Sequence, residues 1–159
     1  MTDDPLADLL PAIQRLLPGS ERVAEDAPDT AFGGPGAYLL LLHLADPVRF
    51  ARHGRAASLA GWFVYAGSAR GGGGVRARLG RHFRRSKPVH WHVDELTVAA
   101  DRMAALVLPH GSECDIVDRL LRSGRFEPAF PRFGSSDCRR CPAHLLKPMA
   151  GPDARQAGA

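Results

Sequence analysis

Three neighbouring runs decide the fold of this 159-residue chain: GAYLLLLHL at residues 36–44, LAGWFVYAG at residues 59–67 and GGGGVRARLGRHF at residues 71–83. The first two are continuous apolar runs, and the second is rich in aromatic side chains. Runs of this length and composition are typical of buried β-strands. They predict strands over Ala37–Leu44 and Leu59–Ala66.

The third run predicts a helix that follows a four-glycine loop. Val75, Leu79 and Phe83 lie four residues apart, which places them on one face of a helix. Arg78 and His82 are also one turn apart, on another face. Both polar side chains can therefore reach a common ligand.

The rest of the chain adds one strand and two helices. Ala104–Leu108 is a third apolar run, and Ser112 is a typical N-cap for a helix that begins at Glu113. Leucines at helical spacing over residues 5–17 predict an N-terminal helix. The order of these elements predicts an α+β fold, with a small three-stranded sheet and flanking helices.

Composition divides the chain into three parts. Residues 1–32 would form the N-terminal helix and an acidic linker, because residues 18–35 are rich in proline, glycine and acidic side chains. Residues 33–148 would form the domain proper, which is long enough for one core. Residues 149–159 are rich in glycine, proline and alanine, and we expect a disordered tail.

Several features indicate a cytoplasmic protein that contacts no membrane. The first five residues, MTDDP, lack the basic start and apolar stretch of a secretory signal. The longest apolar run is too short to cross a bilayer. Three cysteines, an odd number, argue against a disulfide framework and fit a reducing compartment.

Positive charge is concentrated in one segment. Between Asp46 and Asp94 there is no carboxylate, whereas ten arginine and lysine side chains lie there. Such a segment indicates a polyanionic partner, and nucleic acid is the commonest. The alternative is an arginine-rich surface that reflects only a GC-rich genome. The side chains expected to contact nucleic acid are Arg70, Arg76, Arg81, Arg84, Arg85 and Lys87.

Two short motifs carry a family resemblance. GAY at residues 36–38 opens the first predicted strand and YAG at residues 65–67 closes the second, and helices with Arg78, His82 and Glu113 follow in order. This arrangement resembles the GIY-YIG nuclease superfamily. The wider segment is similar to a branch of that superfamily described as a domain of unknown function, which is also found fused to DNA glycosylases. The resemblance implies a GIY-YIG-like, mainly antiparallel sheet.

The resemblance also implies a metal-dependent endonuclease that hydrolyses phosphodiester bonds in DNA, in repair or processing. Glu113 would hold one Mg²⁺ or Mn²⁺ ion together with waters and the substrate phosphate. Arg78 would stabilise the transition state. Tyr65 or Tyr38 would accept the proton of the attacking water, and His82 is the other candidate for proton transfer.

Some positions depart from the family pattern. Ala37 replaces a larger aliphatic residue, and Ser68 stands where many repair-nuclease relatives have lysine. The asparagine common near the end of the superfamily core has no clear match. The alternative function is therefore a non-cleaving nucleic-acid-binding module that retains the nuclease fold.

The cysteines allow two interpretations. Cys138, Cys141 and His144, together with Cys114, make a complete zinc ligand set of three thiolates and one imidazole. The Cys-x-x-Cys-x-x-His spacing is tighter than in usual zinc fingers, which favours a reduced thiol cluster over zinc. A zinc-stabilised interaction domain is a third hypothesis for function. A shared zinc ion requires that the sulfurs of Cys114, Cys138 and Cys141 lie within about 8 Å of one another.

The run HWHVD at residues 90–94 also allows two interpretations. His90, His92 and Asp94 offer two imidazoles and a carboxylate at alternate positions, which makes a weak metal site. Structural packing with Trp91 as an anchor is the preferred interpretation.

Overall fold

Residues 4–135 and 138–149, which the computed structural model describes, form one six-stranded antiparallel sheet with helices on both faces. The helices are α1 (Pro5–Leu16), α2 (Gly74–Phe83), α3 (Asp94–Thr97) and α4 (Glu113–Arg122). The strands are β1 (Glu21–Ala24), β2 (Gly36–Arg52), β3 (Arg55–Ala69), β4 (Arg102–Pro109), β5 (Phe126–Pro128) and β6 (Leu145–Pro148). Their order in the sheet is β1-β4-β2-β3-β6-β5.

The α+β class is confirmed, but the prediction of a three-stranded sheet is wrong because the sheet has six strands. The predicted strands correspond to β2, β3 and β4, which pair at its centre. The additional strands have only four residues in β1, three in β5 and four in β6. Strands this short contain too few alternating positions to give a sequence pattern.

The hairpin of β2 and β3 forms the middle of the sheet. Its loop is His53-Gly54, and both residues have a positive φ, 52° and 76°. Two-residue loops of this kind match the twist of the strands they join. The register shifts at an irregularity between Leu44 and Val48, and beyond it Tyr38 lies directly opposite Gly67.

Alternate residues of β2 point to opposite faces of the sheet. Tyr38, Leu40 and Leu42 pack with residues of α2 and α3, on the side that we call the site face. Leu39 and Leu41 pack with residues of α1 and α4, on the side that we call the helical face. All five side chains are buried, so β2 contributes to two hydrophobic cores.

The N-terminal segment takes part in this sheet. The helix predicted from leucine spacing is α1, and its Leu10 and Ile13 are buried on the helical face. The linker predicted over residues 18–35 contains β1, which pairs with β4 at the sheet edge. The boundary between residues 32 and 33 remains a prediction, although residues on both sides of it belong to one sheet.

The two helices nearest the predicted site begin close to where the sequence placed them. Helix α2 begins at Gly74, and a Cβ atom there would overlap the carbonyl oxygens of Gly33 and Gly34. Helix α4 begins at Glu113 after an extended Ser112, whose side chain makes no capping hydrogen bond to the described residues. The start of α2 is therefore packed tightly against the chain that leads into β2.

None of the helices within the described ranges combines the length and the apolar character needed to cross a bilayer. The cytoplasmic location inferred from the sequence remains a prediction. Of the tail predicted to be disordered, residues 150–159 lie outside the described residues.

Candidate active site and metal centre

Gly36 and Gly67, the glycines of the GAY and YAG motifs, both leave room for neighbouring groups. A Cβ atom on Gly67 would overlap the ring and hydroxyl of Tyr38. A Cβ atom on Gly36 would lie 2.7 Å from the carbonyl oxygen of Leu108 and 2.9 Å from the nitrogen of His110. Real Cβ atoms do not approach backbone, or the ring of a fully buried tyrosine, so closely, and both positions therefore require glycine. Gly67 in particular lets the Tyr38 side chain lie directly over β3.

Tyr38 and His82 form a buried pair on the site face. The Tyr38 hydroxyl and His82 Nε2 lie 2.7 Å apart in a hydrogen bond whose donor depends on the imidazole tautomer. Burial raises the pKa of Tyr38 far above its usual value. Burial, together with the positive charges of Lys87 and Arg78, lowers the pKa of His82 to about 3. Both side chains are therefore neutral at neutral pH, and each is only 1% exposed.

Of the two tyrosines, Tyr65 is the one whose side chain reaches the surface. Tyr38 is buried, whereas Tyr65 is half-buried. Its ring packs against Gly134: a Cβ atom there would lie 2.8 Å from Tyr65 Cε2 and 3.3 Å from its hydroxyl oxygen. Burial raises the pKa of Tyr65 to about 12. The charge of Arg78 lowers this pKa, whereas the charges of Asp94 and Glu113 raise it. Tyr65 thus lies within the electrostatic reach of residues from three helices.

Guanidinium groups stack on an indole beside the tyrosines. The Cζ atoms of Arg78 and Arg81 lie 4.4 and 4.5 Å from the centroid of the Trp91 ring. Such cation–π stacking restricts the orientation of a guanidinium while its N–H groups stay available for a phosphate. Trp91 is 39% exposed, so this stack lies at the surface.

Asp94 organises the segment that carries Trp91. Its buried carboxylate accepts two hydrogen bonds from Arg81, at 2.9 and 3.0 Å, and one each from the amides of His90 and Trp91. Burial by itself would raise the pKa of Asp94, but these bonds outweigh it and hold the pKa below its usual value. The rings of His92 and Phe50 pack together, with centroids 5.6 Å apart. These contacts favour the structural interpretation of the HWHVD run over a metal site.

Glu113 opens α4, which packs on the helical face, yet its charge acts on Tyr65 and raises the pKa of that phenol. Burial lowers the pKa of His144, and the charge of Glu113 opposes this effect. Its Oε2 atom is buried and has no hydrogen-bond partner in the described part of the chain. A buried carboxylate oxygen requires a cation or a donor. Glu113 therefore fits a hard divalent ion whose other ligands are water and phosphate oxygens.

The cysteines and one histidine form a second cluster next to Glu113. The ligand atoms of Cys114, Cys138, Cys141 and His144 all lie within 4.8 Å of one another. The spacing required for a shared metal ion is thus met. Three sulfurs and an imidazole nitrogen fit zinc better than Mg²⁺, which prefers oxygen ligands. Binding of Mg²⁺ or Mn²⁺ at Glu113 remains a prediction.

The family described as Domain of unknown function DUF123 matches residues 37–157. The chain belongs to this family. The match includes the tyrosines, Arg78, Glu113 and the whole cysteine–histidine cluster, and it begins after α1 and β1. Comparisons with curated proteins and with solved structures give no match. The link from DUF123 to GIY-YIG nucleases remains a prediction from the motifs.

Four of the six cations predicted to contact nucleic acid form hydrogen bonds within this DUF123 chain. Arg76, Arg85 and Lys87 donate to main-chain carbonyl oxygens, and Arg81 binds Asp94. Lys87 bonds to two carbonyls at the C-terminal end of α2, where a cation is favoured by the helix dipole. These side chains keep their charge but are less free to follow a ligand.

The other two predicted cations, Arg70 and Arg84, are exposed. Neither side chain forms a hydrogen bond or ion pair with any residue in the ranges 4–135 and 138–149. Near Arg78, the glycine loop before α2 borders a depression of about 210 Å³. Its lining consists of Ala69, Gly71, Gly72, Gly74, Ala77, Arg78 and Arg81. A phosphate that entered this depression would meet the guanidinium of Arg78 on a glycine-lined wall, next to the guanidinium of Arg81, which is bonded to Asp94.

Sequence reasoning missed Gly134 as a contact of Tyr65. Its position in the run FGSS at residues 133–136 is typical of a turn, which was the available signal, and its φ of 71° agrees with a turn. A turn signal, however, does not identify the side chain that the turn will meet.

Proposed function

We propose that this protein is a metal-dependent endonuclease that hydrolyses phosphodiester bonds in DNA. The observation that carries the proposal is the buried Oε2 atom of Glu113, which lacks a hydrogen-bond partner in the described residues and lies within electrostatic reach of Tyr65. A cation site beside a surface phenol and a phosphate-binding guanidinium is the set of groups that such hydrolysis needs.

Glu113 is the proposed ligand of Mg²⁺ or Mn²⁺. When bound, the ion supplies positive charge to the scissile phosphate and the leaving oxygen. Arg78 supplies a planar set of donors to the phosphate, and its contact with Trp91 supports a fixed orientation.

Tyr65 is the proposed proton acceptor, because it is the more exposed of the two phenols. Its pKa of about 12 means that the phenolate fraction, and with it the cleavage rate, should rise with pH through the neutral range. Tyr38 and His82 are buried and bonded to each other. We assign them the role of holding the site face in place rather than contact with substrate.

Nicking of supercoiled plasmid in Mg²⁺ or Mn²⁺ tests the proposal. Glu113→Gln should reduce the rate by about 10²–10³-fold, the range for loss of one preorganised electrostatic group. Asp115→Asn is the matched control, because it removes the same charge from the same helical turn at an exposed position. Equal losses in both variants would mean that Glu113 acts only through the helix dipole.

A non-cleaving nucleic-acid-binding module is the second candidate. Burial raises the pKa of Tyr65 to about 12, so at neutral pH almost all of this phenol is protonated and cannot accept a proton. Tyr38, the other tyrosine in the described residues, is buried. The lack of a ready proton acceptor favours this second candidate. Such a module would shift DNA in a gel in EDTA. It would produce no nicks in either metal ion.

A further inference from the structure

We propose that Cys114, Cys138, Cys141 and His144 bind one zinc ion, which acts as a structural clamp on the candidate active site. The ligands come from separate segments: Cys114 from the first turn of α4, Cys138 and Cys141 from the loop before β6, and His144 from the residue preceding β6. An ion bound to all four would join these segments covalently through its coordination bonds. Its role is positional, because three thiolates and an imidazole leave no open site on a tetrahedral zinc.

The ligand atoms already have nearly the spacing of a zinc tetrahedron. All four lie within 4.8 Å of one another, and the sulfurs of Cys114 and Cys138 are 3.5 Å apart. Bonds of about 2.3 Å to sulfur and about 2.0 Å to nitrogen place neighbouring ligand atoms roughly 3.5–3.8 Å apart. Small side-chain movements would therefore close the cluster around an ion, and each thiol would release its proton to solvent.

His144 provides independent support. It is 6% exposed, and its Nε2 atom is buried without a hydrogen-bond partner in residues 4–135 and 138–149. Its main chain is held at both ends: the His144 amide donates to the Phe133 carbonyl at 2.7 Å, and the Ala66 amide donates to the His144 carbonyl at 2.9 Å. A metal ion would satisfy the orphaned nitrogen. A disulfide between Cys114 and Cys138 would not.

The same segments surround Tyr65. Cys114 directly follows Glu113, whose charge acts on Tyr65. Gly134 packs against the Tyr65 ring, and a Cβ atom on Gly134 would also lie 3.3 Å from the Cβ atom of His144. A zinc ion bound to the cluster would thus set the positions of Glu113 and Gly134 relative to the phenol. Zinc binding does not rest on the proposed nuclease activity, although its role as a clamp concerns the same site.

Zinc content is measured first on untagged, reduced protein. Native mass spectrometry should find one zinc per chain, and titration of the thiols with an organomercurial should release it to a colorimetric chelator. Cys138→Ser and His144→Ala should lose the bound zinc, whereas His90→Ala, an exposed imidazole outside the cluster, should keep it. Two results would overturn the proposal: wild-type protein that stays metal-free in excess zinc, and a His144→Ala variant that binds zinc as tightly as wild type.

The clamp is tested by measuring amide hydrogen exchange of the wild-type chain before and after a chelator removes zinc. This test does not depend on whether a variant folds. Amides of Arg132, Cys138 and His144, which are bonded within these segments, should exchange faster after chelation. Amides of β2 should keep their protection. Unchanged exchange, or an equal loss across the whole sheet, would refute a local clamp.

The two proposals can fail separately. Glu113→Gln should slow nicking by about 10²–10³-fold while it keeps its zinc. A chain that binds zinc but nicks no DNA would refute the nuclease proposal alone. A chain that nicks DNA but binds no zinc would refute the clamp alone.

Discussion

The two faces of the sheet are built from alternating residues of the same strands, yet they differ in chemistry. Under α1 and α4, the helical face buries mainly aliphatic side chains such as Leu10, Ile13 and Leu41. The site face also buries aliphatic side chains, but it encloses His82 and Asp94 as well. One set of strands thus has a mainly aliphatic core on one side and a core with ionisable groups on the other.

The buried ionisable groups of the site face should destabilise the fold wherever they lack partners. Buried polar groups destabilise a fold unless hydrogen bonds satisfy them. Asp94 has four such bonds, but His82 Nδ1 has no partner among the described residues. Strongly shifted pKa values of this kind cluster at functional sites. Substitutions among the site-face groups and at Glu113 should therefore alter activity, whereas substitutions at aliphatic positions of the helical face, such as Leu41, should alter stability.

The largest expected effect is on stability, from the helical face. Leu41→Ala should lower the free energy of unfolding by about 2–5 kcal/mol, because it opens a cavity at a fully buried position. Chemical denaturation measures this change. Val89→Ala, at a position that is 53% exposed, is the control and should stay within about 0.5 kcal/mol. Equal losses would contradict the assignment of this core.

A comparably large effect on activity should come from the site face. Arg78→Ala should reduce plasmid nicking by about 10²–10³-fold, since it removes transition-state stabilisation. The free energy of unfolding should change far less than in Leu41→Ala. Arg122→Ala on α4, whose side chain is 80% exposed, is the matched control and should nick normally. If the two arginine variants lose activity equally, net charge and not the site is responsible.

The pH dependence of stability should reveal His82. Its pKa is about 3 in the folded protein and near 6.5 when unfolded, so between these values only the unfolded chain binds the proton. Stability from this group is complete above about pH 6.5, and it should fall by about 1.4 kcal/mol per pH unit as the pH drops toward 3. Denaturation at several pH values measures the slope. His82→Gln should flatten it, whereas His90→Gln should leave it unchanged.

The smallest effect should separate the two tyrosines. Tyr38→Phe leaves the buried Nε2 of His82 without a partner and should lower the free energy of unfolding by about 1–3 kcal/mol. Tyr65→Phe should leave stability nearly unchanged but reduce nicking, because it deletes the proposed proton acceptor. If Tyr65→Phe nicks at the full rate while His82→Ala is folded and inactive, the proton acceptor is His82 instead.

Local patterns predicted the centre of the fold well. The apolar runs gave β2, β3 and β4, and the three-to-four-residue spacing of apolar side chains gave α1, α2 and α4. These signals lie within single elements, where the period of side chains is set by backbone geometry. The strands β1, β5 and β6 were missed because three or four residues are too few to show a strand pattern, so only their pairing with other strands identifies them.

The sequence by itself determined the α+β class, the positions of the main elements and the residue types available for chemistry. Only the tertiary structure decided that Tyr38 is buried while Tyr65 reaches the surface, since both tyrosines occupy similar strand positions. It also decided that Cys114 joins Cys138, Cys141 and His144. The physical reason is that burial and ligand spacing depend on how α4, β3 and β6 pack together. Packing between segments far apart along the chain leaves no periodic signal in any one of them.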